Sequence, residues 1–155
     1  MEALGAYVRI REGGYLAGFV ALGDDRLTSE QSFPAPANET EAGQLGELYA
    51  RTTDLINRTG PDLFALKVNG IARQSANAVI AHRAEGALLG AVGRHRSLQV
   101  SLWSGSRLWK PAGFSSPAKT QESIAALCAR LTPRPQSEEG RQAAAAAVAA
   151  LAAAR

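Results

Sequence analysis

One lysine stands where a buried strand has least use for a charge. The stretch Asp62 to Gly70, DLFALKVNG, is entered through Thr59, Gly60 and Pro61 and left through Asn69 and Gly70. That pattern predicts a short buried strand. A charge there is costly unless it is paired, hydrogen-bonded or carried to an open rim, and Lys67 lies near the C-terminal end of the stretch. In open α/β sheets that rim is where sites are built. A second group of cations, Arg107, Lys110 and Lys119, is spaced through SGSRLWKPAGFSSPAKTQES, with Trp103 and Trp109 beside it. Cations interleaved with aromatics suit a surface that holds backbone phosphate and stacks bases. Ser116 and Pro117 fit N-cap and first position of a following helix, which puts Lys119 in the first turn. The helix dipole disfavours a cation there by roughly 0.3–1 kcal/mol; a bound anion would offset this, and solvent exposure would make it trivial.

Other reactive side chains point elsewhere. His82 and His95 are thirteen residues apart, not at the three- or four-residue spacing of helical metal ligands. The single cysteine, Cys128, cannot form an intramolecular disulfide, and it falls on the apolar stripe of a helix, as a packed thiol does. Charge is unevenly divided. Residues 1–65 hold five arginines against ten Asp or Glu, a net of −5, and residues 66–155 hold twelve Lys or Arg against four Glu, a net of +8. A basic half marks either a nucleic-acid surface or a solvated arginine-rich one. The 155 residues are expected to form one domain. The alanine-rich C-terminal run is too weakly hydrophobic to span a bilayer and Met1 to Ile10 lacks a signal-peptide pattern, so a cytoplasmic protein without membrane contact is expected.

The elements that must position these residues follow from periodicity. Leu4 to Ile10 and Tyr15 to Leu22 form a hairpin around Arg11 to Gly14, and the more polar Leu27 to Phe33 is an edge strand. Asn38 with Glu41 makes an approximate capping box for a helix striped by Leu45, Leu48, Tyr49, Thr52, Leu55 and Ile56, which Gly60 and Pro61 stop. A helix between the early strands and the Lys67 strand implies a parallel crossover. Ser75 to His95 is helical, with Ala76, Ile80, Ala84, Ala87, Leu88, Ala91 and Val92 inward; its small-residue face suits close packing or a dimer seam. Leu98 to Trp103 is a further strand. The next helix has the stripe Ile124, Leu127, Cys128 and Leu131, and Ser137 caps an alanine-rich helix running to Arg155.

Three strands, helix, strand, helix, strand, then helices is the order of an RNase H-like domain: a mixed five-stranded sheet, its first three strands antiparallel, with helices on both faces. More specifically the chain resembles the RuvC-like Holliday-junction resolvase family over nearly its whole length. The resemblance is carried by Leu4-Gly5-Ala6-Tyr7, by GPDLFALKV (Gly60–Val68), by the small-residue helix AHRAEGALLGAV (Ala81–Val92), and by the spacing of Lys110, Gly113, Lys119 and Gln121. It implies a nuclease in which about four carboxylates, on strand one, strand four and the last helix, hold two divalent ions that activate water. The matching positions here are Tyr7, Lys67, Glu139 and Gln142. One carboxylate of four does not cage two divalent cations.

The resemblance, with this departure, implies a catalytically inactive module that needs no cofactor. It would bind nucleic acid, DNA in preference, through Lys67, Arg73, Arg107, Lys110, Lys119 and Gln121, or scaffold a nucleic-acid-processing complex, as a homodimer through the 75–95 helix. Two alternatives stand beside it. One is a divergent endonuclease using Mg²⁺ or Mn²⁺ with ligands recruited from Asp24, Asp25, Glu85 or Glu139. The other is a protein-interaction scaffold.

Overall fold

The computed structural model describes residues 1–70 and 75–155. Three antiparallel strands open the chain: β1 (Glu2–Arg11), β2 (Gly14–Gly23) and β3 (Arg26–Pro34). The β1–β2 turn passes through Gly13 at φ 86°, a left-handed conformation that glycine adopts without strain. Helix α1 (Glu41–Thr59) follows, then β4 (Leu63–Lys67), which pairs with β1 in parallel, α2 (Ala76–Val92), and β5 (Gln99–Trp103), parallel to β4. The sheet order is β3-β2-β1-β4-β5, so β3 is an edge strand and β1 and β4 are central. Helices α3 (Thr120–Cys128) and α4 (Glu138–Ala154) complete the domain. The expected fold class is the observed one. Among the described residues no helix is long and apolar enough to cross a membrane.

Strand parity divides the core in two. On β1 and β4, Leu4, Ala6, Val8, Phe64 and Leu66 join the core under α1 and α2, whereas Ala3, Leu63 and Ala65 join the core under α3 and α4. Tyr7 and Lys67 share the odd parity of the second set, so both belong to the α4 face.

Local capping chemistry accounts for where the helices begin. Thr40, not Asn38, is the N-cap of α1: its hydroxyl accepts from the Gly43 N–H, while Asn38 sits in the preceding turn at φ 60°, which asparagine tolerates. Gly60 closes the helix in the left-handed conformation, its N–H donating to the Ile56 carbonyl. Helix α3 starts at Thr120, not after Ser116 and Pro117, which stay in the exposed loop; the Thr120 side chain packs against Gly105. Lys119 is therefore the N-cap residue, and lysine, having no acceptor, makes no side-chain cap. Ser75 and Ser137 cap α2 and α4 as their sequences imply. The buried face of α2 is rotated from the expected stripe. Ala81, Ala84, Glu85, Leu88, Ala91 and Val92 point inward, Ile80 and Ala87 are half-buried, and Ala76 is exposed.

Helix α4 is the centre of the second core. Residues Gln142 to Leu151 are all buried, on every side of the helix. Alanine permits this, because a helix without bulk lets the sheet approach on one side and α3 on the other. The approach to the sheet is backbone to backbone. A Cβ on Gly5 of β1 would collide with the Ala143 carbonyl oxygen, and one on Gly18 of β2 would lie 2.7 Å from Glu139 backbone and Cβ atoms. Cys128 is buried on α3, its thiol donating to the Arg141 carbonyl at 3.4 Å and pushed up to about 11 by burial, so it is a packed and weakly nucleophilic thiol. Gly5→Ala is expected to destabilise the protein by about 1–3 kcal/mol through overpacking. Gly46→Ala, on α1 where nothing lies within 4 Å of the added carbon, should be neutral or stabilising. Urea unfolding midpoints of the two variants distinguish these outcomes.

Candidate functional site

The strand registers set five residues in one row across the sheet: Ser32 of β3 pairs with Gly18 of β2, Gly18 with Tyr7 of β1, Tyr7 with Lys67 of β4, and Lys67 with Trp103 of β5. The first turn of α4 lies over this row. Gly18 has no side chain, so the backbone of Glu139 rests on it, and the Glu139 carboxylate accepts a 2.6 Å hydrogen bond from the Ser32 hydroxyl. Gln142 is on the next turn and donates from Nε2 to Glu138 at 3.1 Å. Lys67, Glu139 and Gln142 are each 7% exposed. The four positions singled out from the sequence, Tyr7, Lys67, Glu139 and Gln142, thus gather at one end of the α4 face.

Lys67 has little to satisfy it. Its ammonium donates to the Val68 carbonyl at 3.3 Å and lies 5.6 Å from the centre of the Tyr7 ring, a cation–π contact. Among the described residues no carboxylate is within ion-pairing distance. Glu139 is engaged by Ser32 instead, so the ammonium and that acid do not form a pair. Burial drives the Lys67 pKa down, and the negative charge of Glu85 near the rim opposes part of that fall. Burial likewise raises the Tyr7 pKa, with Arg9 acting against it and Glu138 and Glu85 adding to it. The Gln142 Oε1 atom is buried with no partner among the described residues, at a cost of about 1–3 kcal/mol.

The donor set does not fit two divalent cations. It offers one carboxylate, a neutral amide and a phenol beside a cationic ammonium, where hard cations need several anionic oxygens each. Of the acids weighed as recruited ligands, Glu139 is at the row, and Asp24, Asp25 and Glu85 are held elsewhere. Asp24 and Asp25 occupy the β2–β3 turn, bound to the N-terminal ammonium and to Arg155. At ~3.3 Å per residue they lie about 20 Å along the sheet from Gly18. Glu85 is on the α2 face, accepting from the Asn69 N–H and side-chain amide at 2.7 and 2.8 Å and meeting His82 Nδ1 at 3.2 Å. Among the described residues no three His, Cys, Asp or Glu side chains gather as metal ligands do.

The expected phosphate contacts divide into two sets. Arg107, Lys110, Lys119 and Gln121 are all exposed, on the segment that runs from the end of β5 into α3. Arg107 lies over the Trp103 ring, its guanidinium carbon 5.8 Å from the ring centre. Lys67 is buried and set back beneath α4, so it is not a free surface cation. Arg73 falls outside the described residues. Several residues that shape the site were not singled out from the sequence. Ser32 and Gly18 act only through register. Glu138 is adjacent to Glu139, and Arg9 follows Tyr7 by two residues on the same face, a signal that period-2 alternation carries. Glu30 on β3 accepts from the N–H groups of Gln136 and Ser137 and from the Ser137 hydroxyl, which ties the start of α4 to the sheet. Burial raises its pKa, but these hydrogen bonds outweigh it and the net shift is downward.

No family model and no curated protein sequence matches the chain. Solved structures do. RuvC of Thermus thermophilus shares 21% identity at a TM-score of 0.77, over 99% of this chain and 96% of that one. The same protein in complex with a Holliday junction substrate gives 18% and 0.77, over 99% and 95%. The yeast mitochondrial Holliday junction resolvase Ydc2 matches at 8% identity and a TM-score of 0.56, over 97% of this chain and 76% of that one. The chain therefore has a RuvC-like fold over its full length.

The buried ammonium has a measurable consequence. Because the folded-state pKa of Lys67 is depressed, the unfolded chain binds the proton more tightly, and stability gains as pH rises from the lowered value toward the ordinary lysine range. Lys67→Met is expected to melt a few degrees above the parent at pH 7. That advantage should shrink at pH 10, as paired thermal melts would record.

Proposed function

We propose that this chain is a catalytically inactive RuvC-like module that binds nucleic acid, DNA in preference, and acts as a homodimer through α2. The observation that carries the first part is the row Ser32–Gly18–Tyr7–Lys67–Trp103 beneath the start of α4. It holds a phenol and an ammonium on the two central strands, where two-metal hydrolysis needs carboxylates. An ammonium there takes up part of the space and charge of a cation without supplying a Lewis acid. It also removes the mutual repulsion that a cluster of carboxylates suffers when no metal is bound. The fold is kept and the hydrolytic chemistry is dropped.

Nucleic acid as the ligand is supported by the exposed cations Arg107, Lys110 and Lys119 beside two tryptophans, and by a RuvC of the same fold having been solved with a Holliday junction substrate. Dimerisation is supported by apolar surface on the α2 side. Val79 of α2 is 45% exposed. On β5, Val100 and Leu102 pair with Phe64 and Leu66, so they lie on the α1/α2 face, and they are 49% and 46% exposed. A second copy packed along α2 would cover such surface.

Two measurements test this reading. Fluorescence anisotropy with labelled four-way junction, duplex and single-stranded DNA at low salt should show binding that weakens steeply with salt. Lys110→Glu with Lys119→Glu should lower affinity roughly tenfold or more and flatten the salt slope. The parent should not cut a junction in Mg²⁺ or Mn²⁺; cleavage that Glu139→Ala abolishes would restore the nuclease reading, and absence of any binding would leave the scaffold reading. In sedimentation equilibrium the parent should be a dimer and Val79→Glu should shift it toward monomer, whereas an unchanged mass would remove α2 as the seam.

A further inference from the structure

Beyond the row at the start of α4, a recess opens between the segment after β5 and the far end of α4. It is about 520 Å³, within the range of small-ligand sites, which run from about 300 to 1,000 Å³. Trp103 and Trp109 form its aromatic walls, Arg107 and Lys110 stand in it as exposed cations, and Ala152 and Ala153 of α4 contribute small surfaces. Among the described residues no Asp or Glu lines it. Flat aromatic walls favour a flat ring. Two cations without an acidic neighbour favour an anion close to that ring. The last turn of α4, which includes Ala152 and Ala153, leaves carbonyls without intrahelical donors, acceptors of the kind an exocyclic amino group or ring N–H needs.

We propose that this recess takes one unpaired nucleobase of a bound strand, stacked on Trp109 and Trp103, with the adjoining phosphate held by Arg107 and Lys110. The assignment rests on the nucleic-acid reading and adds to it a base-sized subsite distinct from the general phosphate track. A base inside a continuous stack of pairs has no exposed face to offer, so the subsite selects strands with an extruded or unpaired nucleotide over a perfect duplex. It also sits next to the altered row, because Trp103 is the β5 partner of Lys67.

The chain itself supplies the probe. Trp103 and Trp109 are its two tryptophans, so intrinsic tryptophan emission reports this recess alone. A duplex carrying a single-nucleotide bulge is expected to quench that emission, and the same duplex without the bulge, bound to equal saturation by anisotropy, is not. Trp109→Ala should lower affinity for the bulged duplex about tenfold and leave the perfect duplex nearly unchanged. If Trp109→Ala proves unstable by circular dichroism, Arg107→Ala with Lys110→Ala at the exposed mouth should weaken both duplexes, because Lys110 also serves the general phosphate track, and should weaken the bulged one by more, reducing the preference. Binding of both duplexes with unchanged emission, or a bulge preference that survives these substitutions, overturns the subsite and leaves the nucleic-acid reading intact. No anisotropy change with any DNA at low salt removes that reading, and the subsite with it.

Discussion

The fold depends on a direct contact between the backbone of α4 and the central sheet. Gly5 and Gly18 are the places where β1 and β2 admit it, and the alanine run is what α4 offers in return. Each alanine removes little apolar area from water, so the contact does not draw its strength from large side chains. It draws it from many close atom pairs at dense packing, which is why one added methylene at the contact is felt. Every other feature of the α4 face is fixed from this seam. Glu139 lies over Gly18 because the helix cannot sit closer or farther, and Glu30 on β3 holds its first turn by gathering the N–H groups of Gln136 and Ser137.

Placed on that frame, the altered row has a consistent electrostatic logic. Two central strands and the first turn of a helix converge, an arrangement that places side chains accurately and suits either metal ligation or its replacement. Here the convergence holds a buried ammonium against an aromatic ring, an acid satisfied by a serine hydroxyl, and an amide with one orphaned oxygen. The residues repel a second cation. The cost is a lysine kept partly against its own protonation and a glutamine left short of one hydrogen bond, neither of which packing alone would select.

The segment after β5 carries a different kind of function. It is exposed, rich in turns and attached at both ends to rigid elements, as binding segments commonly are. Its cations reach solvent while Trp103, at the end of β5, leans on the second core, so the same stretch offers both long-range attraction and a local stacking surface.

Much of this was legible in the sequence. Period-2 alternation and turn residues located all five strands, and glycine and serine caps located the end of α1 and the starts of α2 and α4, because these are short-range effects of sterics and hydrogen bonding. Lys67 was conspicuous for the same local reason, a charge inside an apolar run. Where two capping residues competed, the local signal was insufficient. Thr40 displaced Asn38, and Thr120 displaced the Ser116–Pro117 start because its side chain packs on the distant Gly105. The face of α2 was legible only in part: Ala84, Leu88, Ala91 and Val92 are buried as expected, but Ala81 and Glu85 are buried where Ala76 is not, since a helix rich in small residues has a weakly directed hydrophobic pattern. Only the tertiary structure showed that the alanine helix is central and not peripheral, that Ser32 and not Lys67 engages Glu139, that Asp24 and Asp25 lie away from the row, and that Glu85 is held by Asn69 on the α2 side of the sheet. Those outcomes are set by register across the sheet and by the glycine contacts beneath α4. Such relations join residues more than a hundred positions apart, as Ser32 and Glu139 are, and leave no periodic trace along the chain.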